Sequence, residues 1–242
     1  MNEILTALHA RKSVRAYLDK PISAEDKESI LLAACAAPTA GNQQLYTILD
    51  ITDQDLKDKL ALSCDNQPFI AKAPMVLVFC ADCRKWYDAY IEAGEAPRKP
   101  GVGDMVLAVV DTSIAAQNAV TAAESLGIGS CYIGDILEQY EIHRELLHLP
   151  EYVIPCAMLV FGYPTKQQQN REKPERCALK HIVHENTYRT MDGQELREMF
   201  EPRATNGFDA YMTAFCKRKY DSDFAREMTR SVAKYLEQFE IL

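Results

Sequence analysis

The chain has 242 residues, 48% of them hydrophobic and 26% charged, with a formal net charge of −8. That length can bury a substantial core as one large domain or two small ones. The acidic balance excludes general affinity for nucleic acid, whose phosphates need a basic surface, yet leaves room for a local cationic pocket. No apolar run is expected to reach the roughly 20 residues that cross a bilayer. The opening "MNEILTALHARK" carries Glu3 and His9 inside its apolar stretch and does not read as a signal peptide. Eight cysteines (Cys35, Cys64, Cys80, Cys83, Cys131, Cys156, Cys177 and Cys216) fall mostly in apolar segments. They point to reduced thiols of a cytoplasmic protein more than to a disulfide framework.

In chain order, Ile4, Leu5 and Leu8 share a helix face ahead of a charged turn at Arg11. In "PISAEDKESILLAACAAP", Ser23 is a candidate N-cap with Asp26 three residues on, and Pro38 stops the helix. Residues 45–51, "LYTILDI", are aromatic and β-branched enough for a strand. "APMVLVFCAD" is apolar on both faces, as a central strand requires. Residues 104–126 lie between Gly103 and Gly127 and predict an Ala-rich helix of about six turns. Asp111, Gln117 and Asn118 interrupt it and argue against a membrane span. "GIGSCYIGDI" reads as a glycine-punctuated turn into a helix over 135–147, and "VIPCAMLVFGYP" as a third strand. Residues 163–190 are polar and aperiodic, a long surface excursion extended around Ile182–Val183, and such excursions tend to be functional. Helices are expected again over 192–200, 208–219 and 222–238. The pattern is α+β, a sheet packed by helices.

Two neighbouring stretches carry chemistry. "RKSVR" sets Arg11, Lys12 and Arg15 with the Ser13 hydroxyl just past a helix end, which offers planar paired donors, a point charge and a neutral donor to phosphate oxygens. The same cations would also complement a helix dipole. In "APTAGNQQ", Pro38 ends the helix, Thr39 is a small donor, Gly41 permits positive φ and Asn42 can donate and accept at a ring edge. A plain helix-to-strand connector accounts for the proline and glycine but not for the Asn–Gln–Gln run.

"RKSVRAYLDKPIS…ILLAACAAPTAGNQQLYTI" resembles the N-terminal signature of the flavin-dependent nitroreductase and flavin reductase family. The resemblance continues through "NQPFIAKAPMVLVFCAD", "AAQNAVTAAESLGIGSCYIGDI", "LVFGYP", "KPER" and "IVHENTY", in order over nearly the whole chain. It implies an α+β nitroreductase-like fold: a central mixed or antiparallel sheet flanked by helices, a long central helix and a C-terminal helical excursion. One domain over 1–242 is implied, with a flavin-binding core at 1–164 and the excursion at 165–242. It also implies non-covalent FMN at a homodimer interface. By resemblance, Arg11, Lys12, Ser13 and Arg15 hold the phosphate, ribityl chain and one ring edge, while Pro38, Thr39, Ala40 and Asn42 form the loop that reaches the partner's flavin. Gln67 resembles a flavin-edge contact, and Tyr132, Ile133 and Gly134 the backbone beside the ring. Lys173 and Arg176 resemble a second phosphate pair, with Arg171 as a competing cation, and Arg203 sits where NADPH-using relatives meet the 2′-phosphate. Thr39–Ala40 replaces the serines of many relatives.

The implied activity is transfer of a hydride from NADPH or NADH through FMN to nitroaromatics, quinones or free flavin by a ping-pong mechanism. No catalytic side chain is required, because the flavin carries the redox chemistry. A flavin-binding sensor or storage protein with little turnover would need the same pocket. Cys80 and Cys83 have half-zinc spacing without a second ligand pair, and His181 and His184 lie in an extended segment, so no metal is expected. Neither nucleic acid nor a membrane is an expected partner.

Overall fold

The structure, a computed structural model, describes residues 2–240. Helix α1 (Glu3–Ala10) starts where the Asn2 side chain accepts from Leu5 N at 2.9 Å. Helix α2 (Ala24–Cys35) starts at Ser23, whose hydroxyl accepts from Asp26 N at 3.0 Å, as its sequence predicts. Strand β1 (Tyr46–Asp50), helices α3 (Gln54–Ser63) and α4 (Pro68–Ala71), and strand β2 (Met75–Asp82) follow. Next come α5 (Arg84–Glu92), the long α6 (Val102–Ser125), β3 (Gly129–Ile133), α7 (Tyr140–Leu146) and β4 (Val153–Gly162). The chain ends with α8 (Lys166–Asn170), α9 (Gly193–Phe200), α10 (Phe208–Lys219) and α11 (Asp223–Leu236).

The four strands form one sheet in the order β1-β2-β4-β3, and every ladder is antiparallel. Among the described residues, parallel pairing enters only through isolated bridges, Ser13 with Ser130 and Gly101 with Glu240. All eight residues of β2 are buried, which explains its uninterrupted apolar sequence. Alternate residues serve opposite faces. Val76, Val78 and Cys80 join Met158 and Val160 of β4 in one core, with Leu60, Ile70 and Tyr235 from the helices and Leu147 just past α7. Met75, Leu77 and Phe79 join Leu159 and Phe161 on the other face, under Ile30 and Ala34 of α2 and Ala115, Ala116, Ala119 and Ala123 of α6. Small side chains let α6 lie close to both the sheet and α2. Pro155 in β4 has no N–H for the ladder, and the β2–β4 register shifts there between Phe79 and Cys80.

Three expectations are corrected. "GSCYI" is strand β3, not part of a turn, and the helix expected from 135 begins only at Tyr140, after a short 3-10 turn over Gly134–Leu137. Ile182–Val183 is not extended, since it follows a 3-10 turn at Leu179–His181 and Ile182 keeps helical dihedrals. Helix α6 is long and apolar enough to cross a membrane by length and composition alone, contrary to the expectation that no segment is. In the fold its Ala face is packed against the sheet and α2.

The chain gathers into two units. One comprises Met1–Arg171 with Glu227–Leu242 and contains the whole sheet; the other comprises Glu172–Arg226. The second is organised around α9, capped by Asp192, and by ion pairs Lys180–Glu198, Arg189–Glu195 and Arg197–Asp209.

Candidate functional site

The cationic turn is held at the β3–β4 end of the sheet by backbone. Val14 N donates to Ser130 O at 2.9 Å, Leu18 N to Tyr163 O at 2.8 Å, and Thr165 N to Ala16 O at 3.2 Å. This close approach depends on two glycines that face each other in the ladder, Gly129 and Gly162. A Cβ at Gly129 would meet Val14 Cγ2 at 2.5 Å, and one at Gly162 would meet Tyr17 Cδ1 at 2.6 Å. Tyr17 is itself anchored through its hydroxyl, which donates to Val14 O at 3.0 Å. Both glycines are therefore required by space.

Around that turn the cations divide their work. Lys12 Nζ donates to Gln169 O at 2.6 Å and Arg171 O at 2.5 Å, so two of its three donors tie the segment after β4 to the turn. Arg171 returns the contact, with Nη2 donating to Ser13 O at 2.5 Å. Arg11 differs. Its Nε and Nη2 are buried without a hydrogen-bond partner, and its guanidinium lies 5.8 Å from the centre of the Tyr132 ring. Burying guanidinium donors unpaired is costly, and an anion in that position would remove the cost. Burial pushes the Tyr132 hydroxyl up to about 12 against the opposing charge of Arg11, so Tyr132 is a neutral ring beneath a cation. Arg15 stands exposed at the far end of the turn, its guanidinium 5.9 Å from the Phe69 ring.

Tyr132, Ile133 and Gly134 run out of β3 beside this group, with Ile133 buried and Gly134 exposed. Gln67 lies at the start of α4, two residues before Phe69. Its N donates to Ala61 O at 2.8 Å and its Nε2 to Cys64 O at 2.8 Å, which shapes the turn through the positive-φ residues Asp65 and Asn66. Arg11, Lys12, Ser13, Arg15, Gln67 and Tyr132–Gly134 are thus supplied by elements at adjoining edges of one unit.

The loop Pro38–Asn42 hangs on α6. Asp111, buried in the middle of that helix, accepts from Thr39 Oγ1 at 2.5 Å, Ala40 N at 3.0 Å and Leu45 N at 3.3 Å. Thr39 Oγ1 in turn accepts from Gln44 N at 2.7 Å. Threonine therefore performs a specific task here, because its hydroxyl both donates and accepts. Gly41, Asn42 and Gln44 take positive φ, and Gly41 and Asn42 are exposed. Asp111 is the residue sequence reasoning missed as a site organiser. Its signal was being the sole carboxylate between Asp104 and Glu124 in an otherwise apolar helix.

Lys173, Arg176 and Arg203 belong to the second unit. There Arg203 Nη2 lies 3.2 Å from Cys177 Sγ, at the end of the short 3-10 turn Glu201–Arg203. Cys80 and Cys83 are buried, and burial pushes the Cys83 thiol up to about 12. Among the described residues no three His, Cys, Asp or Glu side chains gather as a metal would need.

The nitroreductase family pattern matches residues 8–163. An FMN reductase [NAD(P)H] of Bacillus subtilis is 31% identical over 240 residues, covering 98% of this chain and 92% of its own. An oxygen-insensitive NADPH nitroreductase of Salmonella typhimurium is 32% identical over 213 residues, 85% of this chain and 86% of its own. Among solved structures, the NfrA1 nitroreductase of B. subtilis is similar at a TM-score of 0.79 and 28% identity, covering 93% of this chain and 98% of its own.

Proposed function

This chain belongs to the nitroreductase family, and on that premise we propose that it is an NAD(P)H-dependent FMN oxidoreductase acting as a homodimer on nitroaromatics, quinones or free flavin by a ping-pong mechanism. Bound FMN would supply the redox chemistry, taking a hydride from the nicotinamide and passing reducing equivalents to the acceptor. The residues present fit it. The buried, unpartnered donors of Arg11 are the observation that carries the reading, since they lack only an anion.

The protein's own residues then have distinct parts. Ser13, Arg15 and Arg171 add donors on the turn, and Lys12 fixes the segment that bears Arg171. Lys173 and Arg176 are the second phosphate pair of this proposal. Arg11, with its buried donors, favours negative charge on the ring, and the exposed Arg15 adds a second cation at the end of the turn. Gln67 and the Tyr132–Gly134 backbone address the ring edge, and Pro38, Thr39, Ala40 and Asn42 address the partner's flavin. Three exposed apolar residues on α6 (Val106, Leu107 and Val110) and three on α1 (Ile4, Leu5 and Leu8) support an interface between two copies. Eight free cysteines suit a reducing, cytoplasmic setting. Arg203 would meet the 2′-phosphate of NADPH.

Steady-state oxidation of NADPH and NADH with menadione and with nitrofurazone tests the reading. Parallel double-reciprocal lines and acceptor-dependent turnover are expected. Stoichiometric FMN without such turnover would make the protein a flavin-binding sensor or store. Arg15→Ala should lower FMN per protomer, and Arg203→Ala should reduce the preference for NADPH over NADH; unchanged values would remove those roles.

A further inference from the structure

A second cationic feature adjoins the Arg15 segment. Between residues 15–21 and the stretch from α3 to the start of β2 is a cleft of about 880 Å³. Arg15, Lys20, Lys57 and Lys72 line it against one carboxylate, Asp19, in a protein whose overall charge is negative. Phe69 and Tyr17, with Pro68 and Pro74, give it an apolar wall.

Lys57 is the informative member. It is only 8% exposed, and its Nζ donates to Ala73 O at 3.3 Å. The carboxylate whose charge reaches it, Asp50, is already paired with Lys27. A buried ammonium has three donors, and one long bond to a carbonyl leaves most of that capacity unused. Desolvation accordingly holds Lys57 below the ordinary lysine range. Lys20 has its ammonium 3.6 Å from the Tyr163 ring centre, which fixes it at the rim, and Lys72 is exposed at the end of α4. Four cations lining one cleft with a single carboxylate suit a polyvalent anion more than a single carboxylate. The volume is well above that of one oxyanion and within the range of nucleotide-sized ligand sites.

We propose that this cleft is an anion site separate from the flavin turn, sharing only Arg15 with it, and that it takes the diphosphate group of a nucleotide. The phosphates meet Lys57, Lys72 and Arg15, and the base lies toward Phe69 and Tyr17. The site does not depend on the redox reading, and the test keeps the two apart.

FMN-loaded protein is titrated calorimetrically at low ionic strength with inorganic pyrophosphate, ADP and adenosine. Saturable binding of pyrophosphate and ADP, and none of adenosine, is expected. Lys57→Met and Lys72→Glu should each weaken ADP binding by about tenfold or more, as expected for losing one charge-assisted contact, with FMN per protomer unchanged. If Lys57→Met does not fold, the exposed Lys72→Glu carries the comparison alone. No saturable heat with either phosphate, or equal affinity in the variants, overturns the proposal while leaving the flavin reading intact. Source is read from NADPH kinetics. A diphosphate belonging to the nicotinamide donor makes ADP raise KM for NADPH at constant kcat, and one belonging to a separate effector leaves KM unchanged.

Discussion

Replacing Asp111 with asparagine keeps the shape of the residue but removes the charge that three donors share. In the native protein Oδ1 accepts from Ala40 N, and Oδ2 accepts from Thr39 Oγ1 and Leu45 N. The new amide has one acceptor oxygen and one NH₂ group. If the oxygen takes the Oδ2 place, the NH₂ faces the Ala40 N–H and leaves a donor unsatisfied. Turned the other way, it faces Leu45 N–H, whose residue is buried. An unsatisfied buried donor costs about 1–3 kcal/mol, and weakening the remaining bonds from charged to neutral adds about 1, so Asp111→Asn should lose about 2–4 kcal/mol. Urea denaturation of the apo and FMN-loaded protein reads the loss. Hydrogen exchange at Ala40 and Leu45 should accelerate more than exchange in β2, since the damage is local. The Thr39→Val and Asp111→Asn changes should be non-additive by about 1 kcal/mol, because they remove the same contact. Stability within about 0.5 kcal/mol of the parent, the usual range for substitutions away from such features, together with unchanged exchange at Ala40, would show that Asp111 does not hold this loop.

Gly162→Ala places a methyl group 2.6 Å from the anchored Tyr17 ring and 2.9 Å from Pro74 Cδ. Such overpacking costs about 1–3 kcal/mol and should displace the cationic turn, so FMN retention on gel filtration should fall with stability. Burial, and next the charges of Asp135, Asp65 and Glu227, raise the Glu138 carboxyl to about 7. The folded state therefore holds a proton that the unfolded state releases from about pH 4.5, and stability falls as pH rises from about 4.5 to 7. Glu138→Gln should match the parent near pH 4.5 and exceed it by about 1–3 kcal/mol at pH 8 in urea melts. Leu107→Glu, on the exposed apolar face of α6, should shift sedimentation toward a monomer and lower FMN content together. A dimer that keeps its flavin would place the interface elsewhere.

Much of this architecture is readable from the chain, for reasons that are local. Strand β2 is buried on both faces, so its apolar run carries no period to misread, and α6 is bracketed by Gly101 and Gly127. The charges of "RKSVR" are legible as a cationic turn, but its docking on β3 through Val14 and Ser130 is not. Strand β3 is harder, because Gly127, Gly129 and Ser130 have the composition of a turn. Gly129 is instead there because Val14 packs where its side chain would be, a fact about a residue more than a hundred positions away. Asp111 holds a loop some seventy residues earlier, and no periodicity predicts that pairing. Nothing in the charge of Lys57 shows that it would be buried with Asp50 already taken.

The most direct measurement is fluorescence titration of the apo protein with FMN, comparing the parent with Arg11→Met, which keeps the bulk over Tyr132 and deletes the donors that lack a partner. The expected result is saturation at one FMN per protomer in the parent, an affinity lower by about tenfold or more in the variant, and an apo variant at least as stable in urea as the apo parent, because the buried donors without a partner are gone. Failure of the parent to bind FMN, or equal affinity in both, would contradict the assignment of this turn as the flavin site.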